Sequence, residues 1–175
     1  MSKHIVLEGF MGSGKSTIGI RLSYKMAMTV IDTDKLIERE QQKTISDIFA
    51  KDGEEAFRRM ETVCLKKLAK QGYGQIISLG GGVPVRRENR EILKTLGMVV
   101  YLRAKPETIY ERVKNDTSRP LLQCDDPLAR IRELMAARES MYEEAADVVI
   151  DTDTLTVEQV LTEIVCEAEK RRIIS

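Results

Sequence analysis

The chain has 175 residues, 42% of them hydrophobic and 32% charged, with 28 Lys and Arg against 28 Asp and Glu. A chain of this length suits one domain, spanning 1–175, that buries roughly 70% of its unfolded surface, and zero net charge removes nonspecific attraction to nucleic acid or to an anionic membrane surface. Three widely spaced cysteines (Cys64, Cys124, Cys166) without a C-x-x-C, and a single histidine, His4, argue against a zinc site or a histidine-dependent triad. The N-terminus carries no signal-type apolar core, and no apolar run approaches the ~20 residues of a membrane span, so a soluble cytoplasmic protein is expected.

Residues 4–8 read as a first strand. Directly behind it, Gly9-Phe10-Met11-Gly12-Ser13-Gly14-Lys15-Ser16 matches G-x-x-x-x-G-K-[ST] and leads into a helical pattern over 14–27, which is the context a P-loop requires. Its glycines let successive backbone N–H groups turn inward and form a nest for phosphate oxygens. Gly12, Ser13, Gly14, Lys15, Ser16 and Thr17 are therefore expected to bind nucleotide. In that set Lys15 supplies a cation to the β- and γ-phosphates, and the Ser16 hydroxyl is placed to ligate Mg²⁺.

A second strand over 29–32 runs into Asp32-Thr33-Asp34 and a helix over 34–42. The spacing lets one carboxylate face a metal while the other orients or deprotonates an attacking hydroxyl; N-capping of the helix by Asp32 or Thr33 is the plainer use. The helical pattern over 53–70 carries Phe57-Arg58-Arg59, of which one arginine points inward because adjacent helical residues diverge by ~100°, and Glu61 is spaced to brace Arg58. A third strand over 75–79 ends in Gly80-Gly81-Gly82, where a ligand can approach the backbone closely.

Helix 86–96, strand 98–103 and helix 106–114, opening on Pro106, follow in order. The stretch around Arg119-Pro120 interrupts the helical pattern and reads as a lid over about 116–126, able to bring the Arg119 cation to a transferring phosphoryl group. Helix 126–145 carries Arg138 between Met135 and Met141, and strand 147–151 and helix 156–172 close the chain. Alternating strands and helices predict a three-layer α/β/α fold with a five-stranded parallel sheet, whose ligands bind at the carboxyl ends of the strands.

Taken together, the P-loop, Asp32-Thr33-Asp34, Ile45-Ser46-Asp47-Ile48-Phe49, Phe57-Arg58, Ser78-Leu79-Gly80-Gly81-Gly82, Arg119-Pro120-Leu121-Leu122 and Arg138 with Tyr142 resemble shikimate kinases. These are P-loop proteins of the nucleoside-monophosphate-kinase-like group, and the resemblance covers residues 5–151 in the family's order. It implies transfer of the ATP γ-phosphoryl group to the 3-hydroxyl of shikimate, with Mg²⁺, in aromatic amino acid biosynthesis. By position it implies that Lys15, Asp34 and Arg119 are catalytic and that Ser16 and Asp32 hold the metal, Asp32 through water. Arg112 and Arg119 would join the P-loop in binding ATP. Shikimate would lie among Asp34, Phe49, Phe57, Arg58, Gly80, Gly81, Gly82 and Arg138, with the two arginines on its carboxylate, and a monomer is the implied state. Two departures stand out: Phe10-Met11 is bulky within the P-loop, and residues 151–156 lack the basic and proline residues some relatives place beside adenine.

Overall fold

The computed structural model describes residues 4–116 and 122–173. Five strands, β1 (His4–Glu8), β2 (Val30–Asp32), β3 (Ile76–Ser78), β4 (Gly97–Arg103) and β5 (Val148–Asp151), form one parallel sheet in the order β2-β3-β1-β4-β5. Continuous Ile-Val-Leu runs suit the central strands, because helices cover both faces and leave no side for polar residues. Alternation sorts them: Val6, Ile77 and Val99 face one layer, whereas Ile5, Leu7, Ile76 and Val100 face the other.

Among the described residues eight α-helices surround the sheet. The layer formed by α1 (Lys15–Met26) and α8 (Val157–Lys170) contributes Ile18, Leu22, Leu161 and Ile164 to the second of these cores. On the opposite face, α4 (Glu54–Leu68) and α5 (Arg87–Leu96) bring Leu65, Leu68, Leu93 and Leu96 onto Val6 and Val99. A smaller third core joins Phe10 of the P-loop to α6 (Pro106–Val113) and α7 (Pro127–Ala145) through Ile109, Val113 and Ile131. The remaining two helices, α2 (Thr33–Gln41) and α3 (Ile45–Lys51), pack with α4 beside the β2 edge.

The helix ends follow their local chemistry. Asp32 caps α2, Asp126 caps α7 ahead of Pro127, and Thr156 with Gln159 forms a reciprocal capping box on α8. The strand and helix boundaries agree with the sequence reading to within a residue or two. Two elements escaped it: the seven-residue α3, capped by Thr44, and a 3₁₀ turn over Val83–Val85. Both are too short to carry a periodic apolar pattern. The expected lid lies mostly outside the described residues, since Thr117 to Leu121, and Arg119 with them, are among those not described.

Candidate active site

The loops after β1, β2 and β3 are neighbours at the carboxyl edge of the sheet, and each carries one of the polar motifs. After β1, Gly12 and Gly14 have φ of 76° and 100°, left-handed values that a side chain would strain, and the loop turns so that Gly14 caps α1. Lys15 is buried, and its ammonium donates to the Gly9 carbonyl at 2.8 Å and the Phe10 carbonyl at 2.9 Å, folding back over the loop.

After β2, Asp32 divides its two oxygens between two tasks. Oδ1 accepts from the backbone N–H groups of Asp34 and Lys35 at 3.0 and 3.2 Å, while Oδ2 accepts from the Ser16 hydroxyl at 3.3 Å. N-capping and facing the P-loop are therefore compatible. The pair of hard oxygens on Ser16 and Asp32 fits Mg²⁺, which takes one or two protein ligands and completes its shell with water and substrate phosphates. Accordingly, no cluster of three or more His, Cys, Asp or Glu suited to a metal occurs among the described residues.

After β3, the triple glycine allows three close approaches. The backbone N–H of Gly80 donates to the buried hydroxyl of Thr33 at 2.9 Å, so the middle residue of Asp32-Thr33-Asp34 ties that motif to the glycine loop. A side chain at Gly80 would overlap the Asp34 carboxylate, and one at Gly82 would overlap the Arg58 guanidinium. The Gly81 carbonyl accepts from the Tyr142 hydroxyl and, at 3.5 Å, from Arg138 Nη1.

Arg58 is the inward arginine of its pair. It is 7% exposed and bonds Glu61 and Glu54, each at 2.9 Å, whereas Arg59 lies at the surface. Burial pushes the Glu61 carboxyl up to about 7, with Arg58 pulling it back and Asp34 adding repulsion. Arg138 is buried with its guanidinium 5.8 Å from the Phe10 ring centre, so the bulky P-loop residue forms the platform beneath that arginine. Phe49 and Phe57 pack together with ring centres 5.2 Å apart.

Two clefts open from this edge. One, of about 750 Å³, runs along the P-loop from Gly12 through Thr17 and includes Ser16, Asp32, Asp34 and Arg112, whose Nη1 donates to the Gly12 carbonyl at 3.0 Å. The other, of about 440 Å³, is walled by Phe49, Phe57, Arg58, Gly80, Gly81, Gly82 and Arg138. Met11, Asp34, Glu38 and Gly81 line both, so the clefts meet there. Every described residue expected at the site lies on one cleft or the other.

Met11, the bulky P-loop residue, forms part of the wall of both clefts, whereas Glu38 was not foreseen. Glu38 follows Asp34 by four residues and shares its helix face, a signal that was available; it also accepts from the Ile45 N–H at 2.9 Å and joins α2 to α3. Beside the first cleft, the atypical segment after β5 supplies Thr152 and Leu155, with Val157 beyond them, an uncharged wall where basic residues are missing.

Comparison with known proteins agrees with this geometry. The family model described as shikimate kinase matches residues 11–169. A shikimate kinase of Symbiobacterium thermophilum is 44% identical over 170 residues, covering 96% of this chain and 97% of the relative; one of Bacillus mycoides is 46% identical over 162 residues, covering 93% and 96%. Among solved structures, shikimate kinase from Acinetobacter baumannii in complex with shikimate superimposes with a TM-score of 0.91 at 34% identity, covering 99% of this chain and 97% of that one. A gluconokinase from Sinorhizobium meliloti, at 16% identity and a TM-score of 0.61, shares the fold alone. With a family model spanning most of its length, close relatives matched end to end and its motifs gathered on two adjoining clefts, the chain belongs to the shikimate kinase family.

Proposed function

We propose that this shikimate kinase family member moves the γ-phosphoryl group of ATP from the larger cleft to the 3-hydroxyl of shikimate in the smaller one. The observation that carries this division is the meeting of the two clefts at Asp34, the one carboxylate of the Asp32-Thr33-Asp34 motif that borders both. In this reading Lys15 exchanges the Gly9 and Phe10 carbonyls for phosphate oxygens, and the backbone from Gly12 to Thr17 cradles them. Ser16 and Asp32 would hold Mg²⁺, which when bound neutralises phosphate charge in the transition state.

Asp34 orients the acceptor hydroxyl and takes its proton. Arg58 and Arg138 face the acceptor cleft and bind the substrate carboxylate, Phe49 and Phe57 cover the apolar side of the ring, and the Gly80 to Gly82 backbone forms the wall behind it. Arg112 borders the adenine end, and Arg119 supplies a lid cation. Phosphoryl transfer of this kind needs positioning and fixed positive charge and no covalent enzyme intermediate. The same reading takes the chain as a cytoplasmic monomer that engages small molecules only; light scattering on the purified protein tests its mass.

The test is ADP release with ATP and Mg²⁺, run in parallel with shikimate, gluconate and nucleoside monophosphates. Release that depends on shikimate alone is expected. Release with another acceptor would keep Lys15 and Ser16 but overturn the roles given to Arg58, Arg138 and the triple glycine.

A further inference from the structure

Glu8 closes β1 immediately before the P-loop, and it is fully buried, with both carboxyl oxygens lacking a hydrogen-bond partner. No cleft described above reaches it. It stands on the same sheet face as Val6, paired in register with Tyr101 of β4 and under α7. The titratable groups that act on it come from every element around it: Lys15 from α1, Asp147 from the turn before β5, Tyr101 from β4 and Tyr142 from α7. Tyr101 and Tyr142 stack with ring centres 5.0 Å apart, and Tyr142 spends its hydroxyl on the Gly81 carbonyl.

A buried carboxylate with no donor to meet it is far costlier than the neutral acid, so the site favours the protonated form. The cation that offsets a negative Glu8 is Lys15, whose ammonium rests on the carbonyls of the next two residues, Gly9 and Phe10. Phosphate at the P-loop needs that same ammonium. We infer that Glu8 is a positioning residue for nucleotide binding: a buried, proton-carrying carboxyl behind the P-loop that, when ionised, competes with phosphate for the charge of Lys15.

The direction of the electrostatics agrees with this arrangement. Burial pushes the Glu8 carboxyl up to about 9, Lys15 pulls it back and Asp147 pushes it further. When nucleotide arrives, Lys15 turns to phosphate and negative charge is added nearby, so Glu8 holds its proton more firmly. Nucleotide binding at alkaline pH is then accompanied by proton uptake. This inference rests on the nucleotide site proposed above.

The experiment is calorimetric titration of the protein with ADP and Mg²⁺ at several pH values from 7.5 to 9.5, each in two buffers of different ionisation enthalpy. If ADP raises the Glu8 value by roughly one pH unit, about half a proton is taken up per ADP near the midpoint and affinity falls roughly threefold per pH unit there. In Glu8→Gln, a neutral isostere, and in Glu8→Leu, which continues the apolar strand, this uptake and the matching slope disappear. Equal uptake in wild type and both variants, or none in wild type, overturns the inference. Failure of ADP to bind wild type at pH 7.5 would instead refute the nucleotide site itself.

Discussion

Gly82→Ala tests how the acceptor cleft is built. Gly82 has φ of −100° and ψ of −5°, a conformation open to any residue, so alanine meets no backbone strain there. What it meets is the Arg58 guanidinium, which its Cβ would overlap. Arg58 cannot yield cheaply, because Glu54 and Glu61 each hold it at 2.9 Å and Glu61 is itself buried. Displacing the guanidinium leaves the Glu61 carboxylate without its cation, and losing one partner of a buried charge pair costs about 2 to 5 kcal/mol. Part of that cost disappears as Glu61, already pushed up to about 7, takes a proton. That cost falls on free and substrate-bound enzyme alike; what KM reads is the displaced Arg58, proposed to hold the substrate carboxylate. Losing about 2 kcal/mol of that contact should raise KM for shikimate roughly 30-fold, since every 1.4 kcal/mol is tenfold. KM for ATP should stay within about threefold, because Gly82 and Arg58 border only the smaller cleft. Steady-state kinetics with each substrate varied in turn reads the split. An unchanged shikimate KM, or equal rises for both substrates, would refute the argument that glycine is required to seat Arg58.

Arg138→Ala should weaken shikimate binding by about 2 to 5 kcal/mol, because on the proposed reading the substrate carboxylate loses a buried partner; unchanged KM and kcat would remove Arg138 from the site. Asp34→Asn should lower kcat by about 10²-fold or more while leaving the Kd for ADP within about threefold, if Asp34 serves the acceptor as proposed. Collapse of nucleotide affinity instead would assign Asp34 to the metal. Stability should follow Glu8: with its folded value at about 9 and an ordinary value of 4.5, the unfolded chain loses this proton first as pH rises, so stability falls across that window. Thermal melts of wild type and Glu8→Gln should therefore diverge between pH 5 and pH 9, the variant losing less; parallel curves would show that Glu8 ionises normally.

The P-loop was fully legible because its chemistry is local: glycine conformations, the lysine and the helix start lie within eight consecutive residues. By helical spacing alone Arg58 was legible only as one of a pair; the family resemblance singled it out, and packing turns it inward while Arg59 stays at the surface. The link from Thr33 to Gly80 joins residues 47 apart, and no sequence period announces it. Glu8 was harder still. A glutamate at the end of an apolar strand reads as the point where the strand reaches water, and only the packing of α7 and the two tyrosines over that strand buries it.

Strand order explains how motifs far apart in the chain come to share one site. The chain visits β1, β2 and β3 in turn, but the sheet inserts β3 between β1 and β2. The triple glycine consequently lies between the P-loop and Asp32-Thr33-Asp34, and its lack of side chains becomes a requirement imposed from both sides. A Cβ at Gly81 would come within 3.3 Å of the Met11 backbone on the P-loop side, while Gly80 packs against Asp34 on the other. Bulk in that middle loop would push apart Lys15 and Asp34, the groups proposed above to meet phosphate and acceptor, and so lengthen the proposed path of the phosphoryl group. In the same sheet β1 is the central strand, with β3 and β4 on its two sides, and α7 with Tyr101 and Tyr142 covers the residue at its end. The central strand thus ends in a buried carboxyl directly behind the loop that carries Lys15, which is why a charge hidden there is felt by that lysine.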